Sequence, residues 1–233
     1  MFDAICSDVS AARSRDPAFR NAFETALLYP GLHALWGYRC ARRLWQHDLR
    51  FAARFVSALT HWLTGVDIHP GARLGSGLFI DHASGVVIGE TAEIGQDVTI
   101  YQGVTLGGTS LDKGKRHPTI GDRVTIGAGA KVLGPVTVGD DCRIGANAVV
   151  VKSVPPNSVV VGVPGQVITR SRGLPSPARR GLDDSRVPDV IGLSLRSLLA
   201  RVDRIEARAD GRPMRVDVAP SPNGVWAEED FAI

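Results

Sequence analysis

Two histidines carry the chemistry this sequence offers, and each stands directly beside a charged residue, in Asp81-His82 and Arg116-His117. An imidazole takes up and returns protons near neutral pH, which suits a general base for a hydroxyl. Asp67 precedes His82 by fifteen residues. A carboxylate bonded to one ring nitrogen fixes the tautomer and leaves the other nitrogen as base, and such a pair activates a hydroxyl nucleophile. No serine, cysteine or second acid is placed for a covalent intermediate. The expected route is therefore direct attack by the substrate's own nucleophile on a bound acyl donor. Arg116 offers a guanidinium fork that matches a substrate carboxylate. Gly107-Gly108-Thr109 lets an extended cofactor approach the backbone closely.

A repeat must position these residues. An aliphatic residue recurs every six positions, at Ile68, Leu74 and Ile80, then at Ile88, Ile94, Ile100 and Leu106, then at Ile120, Ile126, Val132, Val138, Ile144 and Val150. One unit cannot bury its own apolar residue and must stack on its neighbours, so a short fixed period means a solenoid. Hexads suit a triangular β-helix, one per face and three per coil, with anchors inside and glycine or alanine at the corners. The period breaks twice: Ile80 to Ile88 spans eight residues and Leu106 to Ile120 fourteen, and the two histidines stand in those breaks. Departures from a repeat mark function. With eighteen residues per coil, Asp67 is expected beneath position 85, in the segment that holds His82.

At 233 residues and 44% apolar the chain is long enough to bury a core. No run of eighteen apolar residues exists, so no membrane span is expected. The N-terminus lacks the basic stretch and apolar core of a signal peptide, and a cytoplasmic location is expected. Cys6, Cys40 and Cys142 form neither a disulfide framework nor a metal-binding pair, and they read as reduced thiols; no metal site is expected. A net charge of +3 is too small to argue for nucleic acid.

The fold class is mainly β with α, in three segments. Residues 1–65 read as a helical domain: Leu28, Leu32, Leu35 and Trp36 fall at helical spacing, as do Leu44, Phe51, Phe55, Leu59 and Leu63. Trp36, Tyr38, Trp45 and Trp62 are expected in the packing between helices, and Gly65 stops the last one. Residues 66–168 hold the β-helix. Residues 169–233 read as a linker, a short amphipathic helix with Ile191, Leu195, Leu198, Leu199, Val202 and Ile205 on one stripe, and a flexible tail ending Phe231-Ala232-Ile233.

These residues resemble the hexapeptide-repeat acyltransferases, and closely the serine acetyltransferases. The likeness is carried by Val66-Asp67-Ile68-His69-Pro70, Ile80-Asp81-His82-Ala83-Ser84-Gly85, Gly89-Glu90-Thr91-Ala92, Val104-Thr105-Leu106-Gly107-Gly108-Thr109, Arg116-His117-Pro118 and Ile126-Gly127-Ala128-Gly129-Ala130-Lys131, and upstream by Arg15-Asp16-Pro17-Ala18. It covers roughly residues 1–168 and implies a left-handed parallel β-helix, despite the right-handed bias of β crossovers.

The resemblance further implies transfer of acetyl from acetyl-CoA to the hydroxyl of L-serine in cysteine biosynthesis. It makes His82 the general base and Asp67 its orienting carboxylate. Asp16, Asp81, Arg116 and His117 become the serine pocket, with acetyl-CoA near Gly107, Gly108, Thr109, Ala128 and Ala146. It implies a homotrimer with sites between solenoids, feedback inhibition by L-cysteine, and docking of O-acetylserine sulfhydrylase on the C-terminal Ile233. Longer relatives carry an N-terminal extension that pairs two trimers, so a trimer is expected here rather than a hexamer. The alternatives are another hexapeptide acetyltransferase acting on a sugar or antibiotic hydroxyl, a γ-type carbonic anhydrase with a three-histidine zinc site, and a non-catalytic scaffold.

Overall fold

The computed structural model describes residues 2–170 and, beyond them, only Leu199, Arg201 and Val202, which are helical. The rest of the expected linker, amphipathic helix and tail, Ile233 included, lies outside the described residues.

Four helices open the described chain: α1 (Phe2–Arg15), α2 (Ala22–Leu28), α3 (Pro30–Gln46) and α4 (Arg50–Thr64). Their ends follow local chemistry. Asn21 caps α2 by accepting from the Glu24 N–H at 2.8 Å. Pro30 fills the first position of α3, where no N–H is needed. Gly65 ends α4 in the left-handed conformation, φ 72°.

The solenoid begins with β1 (Asp67–Ile68), β2 (Arg73–Leu74), β3 (Phe79–Ile80), β4 (Val87–Ile88), β5 (Glu93–Ile94), β6 (Thr99–Ile100) and β7 (Thr105–Gly107). It continues with β8 (Thr119–Ile120), β9 (Thr125–Ile126), β10 (Lys131–Leu133), β11 (Thr137–Val138), β12 (Arg143–Ile144), β13 (Val149–Val150), β14 (Ser158–Val161) and β15 (Gln166–Arg170). Every third strand pairs in parallel, giving three faces: β1-β4-β7-β10-β13, then β2-β5-β8-β11, then β3-β6-β9-β12-β14. This is the left-handed parallel β-helix expected from the resemblance. Each short strand turns its first residue out and its anchor in, so Ile88 sits on Ile68 and Leu106 on Ile88. A second inward position, two residues before the anchor, holds small side chains such as Ala72, Ala92, Val98, Val104 and Val124. Cys142 fills one of these positions, buried, with its thiol donating to Pro155 O at 3.0 Å.

Within each coil the strand N–H groups donate upward, as from Asp67 to Val86 O and from Arg73 to Ala92 O. The first coil therefore presents carbonyls with no coil beneath them, and the helices supply the donors. Ser57 Oγ donates to Ile68 O at 2.8 Å, Tyr38 Oη to Ala72 O at 2.6 Å, and Arg42 Nη1 to Gly71 O at 3.0 Å. Gly31 lets α3 come so close that a Cβ there would lie 2.1 Å from Ile80 O. Ala34, Leu35 and Tyr38 join the solenoid's own apolar core, so helices and β-helix share it across residue 65. At the other end β15 folds back antiparallel on β14 and covers its edge.

Two expectations need correction. The first coil is twenty residues long, because the two extra residues between Ile80 and Ile88 lie within it. Asp67 consequently pairs with Val87, and Gly65 is the residue beneath Gly85, accepting from its N–H at 2.9 Å. The apolar stripe of α4 is also not buried in the single chain. Phe51, Phe55, Trp62 and Leu63 are exposed by 86%, 62%, 79% and 67%, while Ala53 and Ser57 make the approach to the solenoid. Small side chains are what bring α4 within hydrogen-bond reach of Ile68 O.

If stacked anchors carry the core, Ile126→Ala should cost about 2–5 kcal/mol in urea unfolding. Leu111→Ala, in the exposed long loop, should change stability by less than about 0.5 kcal/mol. Equal losses would show that the stacked anchors do not carry the core.

Candidate active site

The shorter break lies between β3 and β4, at the corner where one face gives way to the next. His82 and Ala83 are consecutive left-handed residues there, φ 55° and 56°. Left-handed backbone is costly for residues with a Cβ, and two in succession indicate a segment held by its surroundings. Backbone bonds hold it, among them Ala83 N–H to Asp81 O at 2.7 Å, Ser84 N–H to His82 O at 2.6 Å, and Gly103 N–H to Ser84 O at 2.8 Å. The bulge turns the His82 side chain out to solvent.

Asp81 is half-buried, and burial raises its carboxyl pKa. The neighbouring His82 works against that shift and the Asp16 carboxylate adds to it. Asp16 arrives from α1 because Arg15, the last residue of that helix, is bolted to the solenoid. Its guanidinium donates to Gly77 O and Val98 O at 3.0 Å each and to Asp97 Oδ1 at 2.9 Å. Two carboxylates beside an exposed imidazole form an arrangement that favours a bound cation such as an ammonium.

The longer break lies between β7 and β8, at the opposite edge of the face formed by β1, β4, β7, β10 and β13. Arg116 Nη2 donates to Glu90 Oε2 at 2.5 Å, and this bond is the main reason the Glu90 pKa is lowered. Thr91 Oγ1 accepts from the backbone N–H groups of Arg116 at 3.0 Å and His117 at 3.1 Å, and it contacts His117 Nδ1 at 2.9 Å. Lys115 Nζ donates to Thr91 O at 2.9 Å. The His117 ring, buried, lies against Gly89, where a Cβ would come within 2.0 Å of Nε2. Burial, then the Arg116 charge, hold the His117 pKa below its ordinary value.

Gly107 ends β7 and pairs with Leu133, while Gly108 and Thr109 are exposed in the loop beside Arg116. Ala128 and Ala146 belong to the other edge, above His82, one coil apart and linked through the Asn147 N–H to Ala128 O at 2.8 Å. The predicted residues therefore form two groups. Asp16, Asp81, His82, Ala128 and Ala146 follow one edge, and Gly107, Gly108, Thr109, Arg116 and His117 follow the other. Asp67 faces outward between them, and no hydrogen bond joins it to His82 among the described residues. Two cavities of ≈610 and ≈880 Å³ among the helices, the first also lined by β2, contain none of these residues.

Sequence reasoning missed Glu90, Thr91 and His69 as parts of the second group. His69 is half-buried, its ring meets Trp45 edge-on at 5.1 Å, and its Nδ1 accepts from the Gly71 N–H at 3.0 Å. Burial and then Arg54 lower its pKa, while Glu90 and Asp67 oppose them. The one available signal was position: His69 directly follows an anchor, Glu90 lies two residues beyond the next one up, and both side chains point outward.

The solenoid with histidines in its two breaks defines a hexapeptide-repeat transferase, and residues 117–152 match the family described as bacterial transferase hexapeptide (six repeats). The chain is 59% identical to a serine acetyltransferase of Mycobacterium tuberculosis over 100% of both chains. It is 45% identical to that of Bacillus subtilis over 93% of this chain and 98% of the other. Among solved structures, Neisseria gonorrhoeae serine acetyltransferase in complex with serine superposes with TM-score 0.70 at 43% identity, covering 72% of this chain and 69% of that one. A serine acetyltransferase complex with cysteine gives TM-score 0.72 at 43% identity, covering 76% and 68%. The chain belongs to the serine acetyltransferase family and is an acyltransferase.

The lowered imidazole pKa values set an acid sensitivity. As pH falls through 6.5, the ordinary value, the unfolded chain binds protons that folded His69 and His117 do not, so stability is lost from there downward. Glu90 adds a further loss below its ordinary 4.5, while the raised Asp81 carboxyl opposes it. The urea midpoint should fall between about pH 7.5 and pH 5.5, and less steeply in a His69→Gln/His117→Gln variant. An unchanged slope in that variant would contradict the assignment.

Proposed function

We propose that this chain transfers acetyl from acetyl-CoA to the hydroxyl of L-serine, giving O-acetyl-L-serine and CoA, as a cytoplasmic step of cysteine biosynthesis. The observation that carries the reading is the complementarity of the two edges to an α-amino acid. Asp16 and Asp81 offer two carboxylates to an ammonium, and Arg116 offers a guanidinium to a carboxylate. The relatives solved with serine and with cysteine support it.

In this mechanism His82 accepts the hydroxyl proton as the serine oxygen attacks the thioester carbonyl. The tetrahedral intermediate then expels CoA thiolate, and the imidazolium returns the proton to that sulfur. No acyl-enzyme forms. Asp67, two residues past the corner that joins Gly65 to Gly85, orients the His82 ring in the assembled site. Acetyl-CoA would run between subunits, with Gly107, Gly108 and Thr109 from the edge of one copy and Ala128 and Ala146 from the edge of the next.

The two edges lie apart in one chain, so the proposal includes a homotrimer in which the His82 edge of one subunit meets the Arg116 edge of the next. A head-to-tail contact of this kind closes into a ring. The uncovered α4 stripe, Phe51, Phe55, Trp62 and Leu63, is the apolar surface that a neighbouring copy would bury. L-cysteine, which carries SH in place of OH, would occupy the serine pocket as feedback inhibitor. Docking of O-acetylserine sulfhydrylase on Ile233 rests on the sequence of the tail and on the family resemblance.

Thiol release from acetyl-CoA should require L-serine, with L-homoserine and sugars poor acceptors; equal rates with a sugar would overturn the substrate reading. His82→Ala should lower kcat by about 10²–10⁴-fold, with acetyl-CoA binding little changed. A variant within tenfold of the parent would remove His82 from the base role.

A further inference from the structure

A hydroxyl has one proton and two lone pairs. At Thr91 both lone pairs are taken, one by the Arg116 N–H at 3.0 Å and one by the His117 N–H at 3.1 Å. The remaining proton is left for the third contact of Oγ1, His117 Nδ1 at 2.9 Å. The same ring nitrogen also receives the Thr91 backbone N–H at 3.2 Å. Nδ1 thus faces two donors and no acceptor. A proton there would oppose both, so a neutral ring carries its proton on Nε2. Nε2 meets no acceptor among the described residues. It lies between Gly89 and Gly108, where added Cβ atoms would stand 2.0 and 3.3 Å away. The absence of side chains at these two positions leaves that N–H approachable.

We propose that Thr91 is a positioning residue that locks His117 as the Nε2–H tautomer, making His117 a hydrogen-bond donor to the acceptor substrate and barring it from the role of base. The only lone pair of such a ring is on Nδ1, turned inward and occupied, so the ring cannot take a proton from a substrate hydroxyl without dismantling the Thr91 contacts. The two histidines are therefore not interchangeable. His117 offers a fixed N–H, and proton uptake falls to His82, whose ring is in solvent with no hydrogen-bonded partner among the described residues. That the N–H meets serine rests on the function proposed above; the tautomer does not.

Long-range ¹⁵N–¹H spectra of the full-length protein labelled at histidine, with the His117 signals assigned by their loss in His117→Gln, read the tautomer directly. The expected result is a protonated Nε2 and an unprotonated Nδ1, with the same pattern in Thr91→Ser and a population of Nδ1–H in Thr91→Val. The kcat/KM for L-serine should fall about tenfold in Thr91→Val, the scale of one lost hydrogen bond, and recover in Thr91→Ser. An Nδ1–H ring in the parent protein overturns the proposal, and that spectrum decides even if Thr91→Val fails to fold. A Thr91→Val spectrum identical to the parent's overturns the role of the hydroxyl. An Nε2–H ring in a protein inactive toward serine would leave the lock standing and sink the substrate reading instead.

Discussion

Everything in this molecule depends on coil-to-coil registry: an aliphatic anchor seated on the anchor below, and an outward strand N–H seated under the carbonyl above. Because each coil contacts only its neighbours, the structure tolerates extra chain only where it leaves the stack and returns in phase. Both insertions obey that rule. After Ile80 the chain rejoins at Ile88 above Ile68, and after Leu106 it rejoins at Ile120 above Ile94. The insertions consequently sit at corners, and corners are where side chains can leave the lattice without breaking a ladder.

The two corners are held by different physics. The His82 segment is fixed mainly by backbone bonds and accepts two left-handed residues, which keeps a side chain exposed on a rigid support. The Arg116 segment is fixed by side chains from the coil below: Glu90 takes the guanidinium, Thr91 takes the backbone and the imidazole, and Gly89 gives the ring its bed. The open end of the stack is closed by α3 and α4, whose donors meet the first coil's carbonyls, while Arg15 at the end of α1 carries Asp16 to Asp81.

Much of this was legible in the residues. The six-residue period gave the strands and their inward anchors, and its two interruptions pointed to His82 and His117. The position of Asp67 was misjudged because a coil was counted as three hexads when the insertion makes it longer. Periodicity also revealed an apolar stripe on α4 but not what covers it, since spacing marks a face and not its partner. Thr91 and His69 were read only as parts of motifs, because their roles arise from contacts across a coil, between residues such as Thr91 and His117 whose separation in sequence is set by the length of a loop.

In the proposed trimer one edge of the solenoid supplies the base and the opposite edge of another copy supplies the carboxylate clamp. Mixing separately inactive His82→Ala and Arg116→Ala chains, after dissociation and reassembly, distinguishes a shared site from one within a single chain. Hybrid rings would contain some junctions with both edges intact, so activity should rise well above the sum of the two parents. If reassembled mixtures contain hybrid oligomers and remain as inactive as the parents, the site does not lie between subunits.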